Sequence, residues 1–180
     1  MKFETQVVHA GDRKRERPTA IPSTTPIHLA TTYFYETAEQ LDRIFGHEEE
    51  GPSYARYDSP TNSALEELTT ALENGHGSLA TCSGMTALQI AFQAALLERP
   101  HSIVSSSSIY GATVKLLDLV MAPFEVNVKY VDMCDLAAVE KAIAAEKPGC
   151  VFLESISNPL LRVADIPQIA AMATCSAASS

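Results

Sequence analysis

From Ser59 onward the apolar positions recur in two alternating rhythms. Ala64, Leu65, Leu68, Ala71 and Leu72 fall at helical spacing, which predicts an amphipathic helix over Pro60–Glu73. Ser59 suits the cap, Pro60 the first helical position, and Gly75 and Gly77 the end. Ser78–Cys82 is an apolar run of strand length, followed by a Ser83-Gly84 turn. Met85–Leu97 is apolar almost all round, so a buried helix is expected there. Ile103–Ser106 then reads as a strand, Ala112–Met121 as a helix, Val126–Val131 as a strand and Leu136–Ala145 as a helix. Pro148-Gly149 marks a turn, Cys150–Glu154 a strand, and Ile166–Ala173 the start of another helix. Strand and helix alternate throughout. That pattern predicts an α/β fold, a mostly parallel sheet with helices on both faces.

The residues before Ser59 behave differently. Pro18, Pro22, Pro26 and Pro52 interrupt a stretch with little periodicity and a short mixed-charge run, Arg13–Arg17. Residues 1–53 read as an extended arm carrying one short helix, Ala38–Phe45. Long irregular arms are uncommon in compact domains and usually functional or wrapped on something. At the other end, Thr174–Ser180 (TCSAASS) carries no structural signal.

Charge narrows the partners. Thirteen Lys and Arg against 22 Asp and Glu give a net charge of −9. Such a surface repels phosphate backbones, which argues against nucleic acid but leaves room for a small anion in a local pocket. No apolar run approaches the ~18 residues of a membrane span, and the opening residues show no secretory signal. Cys82, Cys134, Cys150 and Cys175 are widely spaced with no CxxC pair, which suits reduced thiols in a cytoplasmic protein.

Four stretches could carry chemistry. In Ser78–Met85 (SLATCSGM) a glycine turn opens a helix, whose first amides favour a phosphate. The same stretch also reads as an ordinary strand–helix turn. Tyr54-Ala55-Arg56 offers a phenol and a guanidinium fork suited to phosphate oxygens, although a loop arginine among so many carboxylates could simply be paired. Tyr110 follows a strand at the edge where open α/β folds hold ligands, and its ring can stack on a flat one or pack on the rim. Glu154–Pro159 (ESISNP) follows another strand. Asn158 there is either an amide donor or part of a plain Asn-Pro turn. Gly75-His76-Gly77-Ser78-Leu79-Ala80 matches G-x-G-x-x-A but follows a helix and opens a strand, the reverse of a dinucleotide fingerprint.

Those stretches, in this order, resemble the pyridoxal-phosphate enzymes of cysteine and methionine metabolism. That family includes cystathionine γ-synthase, cystathionine γ-lyase, methionine γ-lyase and the O-acylhomoserine sulfhydrylases. The similarity runs from about Glu4 to about Met172, and Thr5–Gly11 (TQVVHAG) and Pro26–Phe34 (PIHLATTYF) look like the family's N-terminal arm. The resemblance implies the large domain of a fold-type-I pyridoxal-phosphate enzyme, truncated. Residues 1–58 would be an arm making dimer and tetramer contacts, and residues 59–180 the first part of the cofactor-binding domain. It implies a cytoplasmic homodimer or homotetramer with sites shared between subunits. Tyr54 and Arg56 would bind the cofactor phosphate of the neighbouring subunit. Ser83, Gly84 and Met85 would offer amides to their own subunit's phosphate. Tyr110 would stack on the pyridine ring and assist proton movement, and Asn158 would contact the ring hydroxyl.

The chain also departs from the family. Ser59 stands where Asn is usual before Pro-Thr. The family's Asp partner of the pyridinium nitrogen and its Schiff-base Lys lie beyond the matched segment. Lys2, Lys14, Lys115, Lys129, Lys141 and Lys147 have no matching context. The strand matching Ser78–Cys82 lies, in the family, at the far side of the sheet, separated from the others by strands encoded later. The expectation is therefore a transsulfuration-type enzyme acting by γ-replacement or γ-elimination on O-acylhomoserine, cystathionine or methionine, present as a piece that is inactive alone. The alternative is a non-catalytic fragment that binds pyridoxal phosphate weakly or pairs with a full-length subunit.

Overall fold

Each helix and strand begins where the chain offers a reason. In this computed structural model, which describes residues 23–177, helix α1 spans Ala38–Phe45, and the Thr37 hydroxyl accepts a hydrogen bond from the Gln40 amide at 3.2 Å. Helix α2, Pro60–Glu73, starts on its proline and ends at Asn74, whose left-handed backbone (φ 50°) closes the last turn. Helix α3, Gly84–Leu96, is capped by the Ser83 hydroxyl. Strand β1 (Ser102–Ser106), helix α4 (Gly111–Lys115) and strand β2 (Asn127–Val131) follow. Then come helix α5 (Leu136–Glu146), strand β3 (Cys150–Phe152) and helix α6 (Ile166–Ala177). Thr5–Gly11 and Arg13–Arg17 lie outside the described residues.

The chain forms two compact units, which divide between Ala80 and Thr81. In the second unit the three strands are all parallel in the order β2-β1-β3, with Ile103 opposite both Val128 and Cys150. Ile103 and Val104 on the central strand are fully buried, and they point to opposite faces. On one face Ile103 joins Phe92 and Leu96 of α3 with Leu117 and Met121. On the other Val104 joins Val139 and Ile143 of α5 with Ile169 of α6. This is the three-layer arrangement the alternation predicts.

Four expectations need correction. Ser78–Cys82 forms no strand. No ladder partner reaches it, so the Ala80 amide donates to the Glu66 carboxylate at 2.7 Å, and Leu79 stays 69% exposed. The single helix expected over Ala112–Met121 is α4 followed by a wider π turn, Leu116–Val120. Helix α3 buries only one stripe, Phe92 and Leu96, and α2 buries no residue at all. Its Leu65, Leu68 and Leu72 are all more than half exposed. Finally, α6 continues through Ala177, into the stretch read as structureless.

Candidate functional site

Helix α3 leads through the short connection Leu97–His101 into β1, so it runs antiparallel to the strand. Its N-terminus, roughly 20 Å back along a thirteen-residue helix, therefore lies at the edge where the strands end. Ser83–Met85, Ser106–Tyr110, Asp132–Cys134 and Glu154–Asn158 all meet that edge, the usual ligand side of an open parallel sheet.

At the mouth of α3 the donors are unspent. Ser83 Oγ accepts from the Thr86 amide at 3.2 Å, while the Gly84 and Met85 amides find no acceptor among the described residues. A methyl group added at Gly84 would meet nothing within 4 Å, so the backbone there is open to close approach. Met85 is half-buried and packs on the core beneath.

Tyr110 stands just ahead of α4 and is half exposed. Its amide donates to Glu154 Oε1 at 2.9 Å, and the Asn158 amide donates to Glu154 Oε2 at 3.0 Å. The loop carrying Asn158 is closed on itself. Leu161 N donates to Ser157 O (2.8 Å), Arg162 N to Ser157 Oγ (2.9 Å), and Ser157 is buried. Arg162 Nη2 then reaches Asp132 Oδ2 at 2.8 Å, tying that loop to the end of β2. The Cys134 amide and then the Arg162 guanidinium hold the Asp132 carboxyl below its usual range.

In the first unit an isolated antiparallel bridge, Thr32 with Tyr54, presents the Tyr54–Asp58 turn. The Arg56 guanidinium lies 5.1 Å from the centroids of both the Tyr54 and Tyr57 rings, and its Nη2 donates to Tyr57 Oη at 3.3 Å. No carboxylate pairs with it among the described residues, where the ion pairs are Arg43–Glu49 and Arg162–Asp132. The residues that sequence reasoning left without a role are Tyr57, Asp132, Glu154 and Arg162. The signal for two of them is an acidic residue placed directly after an apolar strand run, YVD and FLE.

A profile of the Cys/Met metabolism PLP-dependent enzymes matches residues 4–179. The chain belongs to that family. It is 33% identical over 172 residues to O-acetyl-L-homoserine sulfhydrylase of Leptospira meyeri, covering 96% of this chain and 38% of that one. Among solved structures it is similar to cystathionine gamma-lyase from Lactobacillus plantarum in complex with L-serine. The TM-score there is 0.69 and the identity 34%, covering 98% of this chain and 42% of that one. It is also similar to cystathionine gamma synthase from Xanthomonas oryzae pv. oryzae in complex with cystathionine. That match has a TM-score of 0.70 and 26% identity, covering 84% of this chain and 36% of that one. The chain thus spans about two fifths of the length of the relatives it matches. The architecture is that of a partial fold-type-I large domain. Among the described residues, no helix is long and apolar enough to cross a membrane.

Proposed function

We propose that this chain supplies the phosphate cradle, stacking ring and ring-hydroxyl contact of a pyridoxal-phosphate site that works on sulfur amino acids or activated homoserine. The observation that carries this reading is the pair of uncommitted amides at Gly84 and Met85, with open space over Gly84. Pyridoxal phosphate, when bound, supplies an electron-withdrawing ring that stabilises charge developing on a substrate amino acid.

The residues present fit such a group. The Gly84 and Met85 amides and the Ser83 cap bind phosphate oxygens, aided by the positive end of α3. Tyr54 and Arg56 bind the phosphate belonging to the neighbouring subunit, the Arg56 guanidinium being held against the Tyr54 and Tyr57 rings with no carboxylate on it among the described residues. Tyr110 stacks on the ring and holds a proton at its phenol oxygen, and Asn158 Nδ2 donates to the ring hydroxyl oxygen. Residues 1–58 act as an arm in subunit contacts, and residues 59–180 as the first part of the cofactor domain, in a cytoplasmic homodimer or homotetramer. Lys115, Lys129, Lys141 and Lys147 are all exposed, and none falls in Ser83–Met85, Ser106–Tyr110, Asp132–Cys134 or Glu154–Asn158. No lysine among the described residues is therefore placed as a covalent partner for the cofactor, and this polypeptide alone is expected to turn nothing over.

Equilibrium dialysis of the chain with pyridoxal phosphate tests the site. Weak, reversible binding abolished by Gly84→Pro is expected, and its absence refutes the reading. A steady-state assay with O-acylhomoserine or methionine should find no turnover. Rates within tenfold of an intact relative would overturn the inactive assignment.

A further inference from the structure

We infer that Glu154 is a positioning residue that sets Tyr110 and Asn158 in register with each other. This rests on the proposed cofactor site. One carboxylate reaches across the sheet edge: Oε1 accepts from the Tyr110 amide at 2.9 Å and Oε2 from the Asn158 amide at 3.0 Å. The two partners lie 44 and 4 residues away in the chain, so the carboxylate joins the loop after β1 to the loop after β3. Both partners carry proposed roles, one as stacking ring and one as ring-hydroxyl donor. A single side chain therefore fixes the distance between the two groups that would meet opposite parts of the same flat ring. Charge-assisted bonds to main-chain amides are short and directional, which suits them to this task. Glu154 itself touches no reacting atom.

The second loop has its own support on the far side, through Ser157, Arg162 and Asp132. Glu154 is what adds Tyr110 to that frame. The geometry also dictates how substitutions behave. Gln keeps one acceptor oxygen and presents an NH2 group to the other amide, so it serves one partner only. Asp is one methylene shorter and cannot span both. Ala serves neither.

The test is amide-proton exchange by NMR on the whole chain, read together with the induced circular dichroism of added pyridoxal phosphate. In Glu154→Ala the Tyr110 and Asn158 amides should both lose protection, while Ile103, Val104 and Ser105 on β1 keep theirs. In Glu154→Gln one of the two should survive. Cofactor affinity should fall about tenfold in Glu154→Ala, the size of one lost charge-assisted bond, and the induced dichroism should shrink with it. Protection retained at both amides in Glu154→Ala overturns the inference, as does a loss that spreads equally into β1. If Tyr110→Ala and Asn158→Ala weaken cofactor binding but Glu154→Ala does not, the positioning role fails and the site stands. If none of the three changes it, the site reading fails as well.

Discussion

Gly149 is the residue whose replacement most directly tests the packing that holds the sheet edge. It is buried at the turn into β3, and its amide donates to Ser102 O at 2.9 Å, which fixes β3 in register with β1. A Cβ built there would run into the Pro100 carbonyl oxygen, and would lie 2.9 Å from Leu96 Cδ2 and 3.2 Å from Arg99 Cβ. Ordinary carbon contacts begin near 3.5 Å. Leu96 could turn away, but the Pro100 carbonyl is main chain leading into the central strand. Accommodating the methyl group means displacing either the carbonyl or the Gly149 hydrogen bond. Overpacking of this kind costs about 1–3 kcal/mol. The narrower unfolded ensemble of alanine returns about 0.4–1 kcal/mol. Gly149→Ala should therefore lose about 1–2 kcal/mol, against a typical total of ~5–15 kcal/mol. For a unit near 100 residues each kcal/mol moves the midpoint by about 4–8 °C. The assay is thermal unfolding followed by circular dichroism, with Gly84→Ala as the comparison. An added methyl at Gly84 meets open space, so that variant should be as stable as the parent or slightly more so. An unchanged midpoint in Gly149→Ala, or equal losses in the two variants, would refute the reasoning.

Other outcomes follow from the same contacts. Phe92 is 2% exposed and meets Phe152 edge-to-face at 5.0 Å, so Phe92→Ala should lose about 3–5 kcal/mol in thermal unfolding; an unchanged midpoint counts against this core. In a full-length, dimeric context Arg56→Ala should reduce pyridoxal-phosphate retention on dialysis more than Tyr110→Phe, because the first loses charge-assisted bonds worth about 1.5–3 kcal/mol while the second keeps the ring. Faster cofactor loss from the Tyr110 variant contradicts that order. The Asp132 carboxyl is held low by the Cys134 amide and Arg162, so its contribution is present above the usual unfolded value of about 3.9 and is lost as pH falls through its lower folded value. Asp132→Asn should therefore flatten the acid limb of a stability-versus-pH curve, and an identical limb in both proteins argues against it. Hydrogen exchange should be fast at Leu79, Thr81 and Cys82 and slow at Val151, whose amide faces β1 in the same register as that of Gly149. Equal protection would mean that the missing ladder of Ser78–Cys82 is filled.

Local signals decided most of the elements. Thr37, Ser83 and Asp135 cap helices because their side-chain oxygens reach free amides within the same turn, whatever surrounds them. The alternation of strand and helix fixed the parallel sheet, because a parallel connection needs a crossover of helical length. Tyr110, Glu154 and Asn158 could be placed at one edge for a related reason: in such a sheet, the residues just after strands share it. What the sequence could not settle depended on neighbours distant in the chain. Ser78–Cys82 has the composition of a strand, but a strand exists only against a partner, and none pairs with it among the described residues. Helix α2 has an apolar stripe and α3 is apolar almost all round, yet burial requires a surface to pack on: Leu65, Leu68 and Leu72 of α2 are exposed, and α3 packs on the core through one stripe only. The setting of Arg56 was likewise beyond the sequence: among the described residues its guanidinium lies against the Tyr54 and Tyr57 rings. Glu154 is one acidic residue among 22 in the sequence. Only the fold, by bringing Tyr110 to within 2.9 Å of it from 44 residues away, sets it apart from the rest.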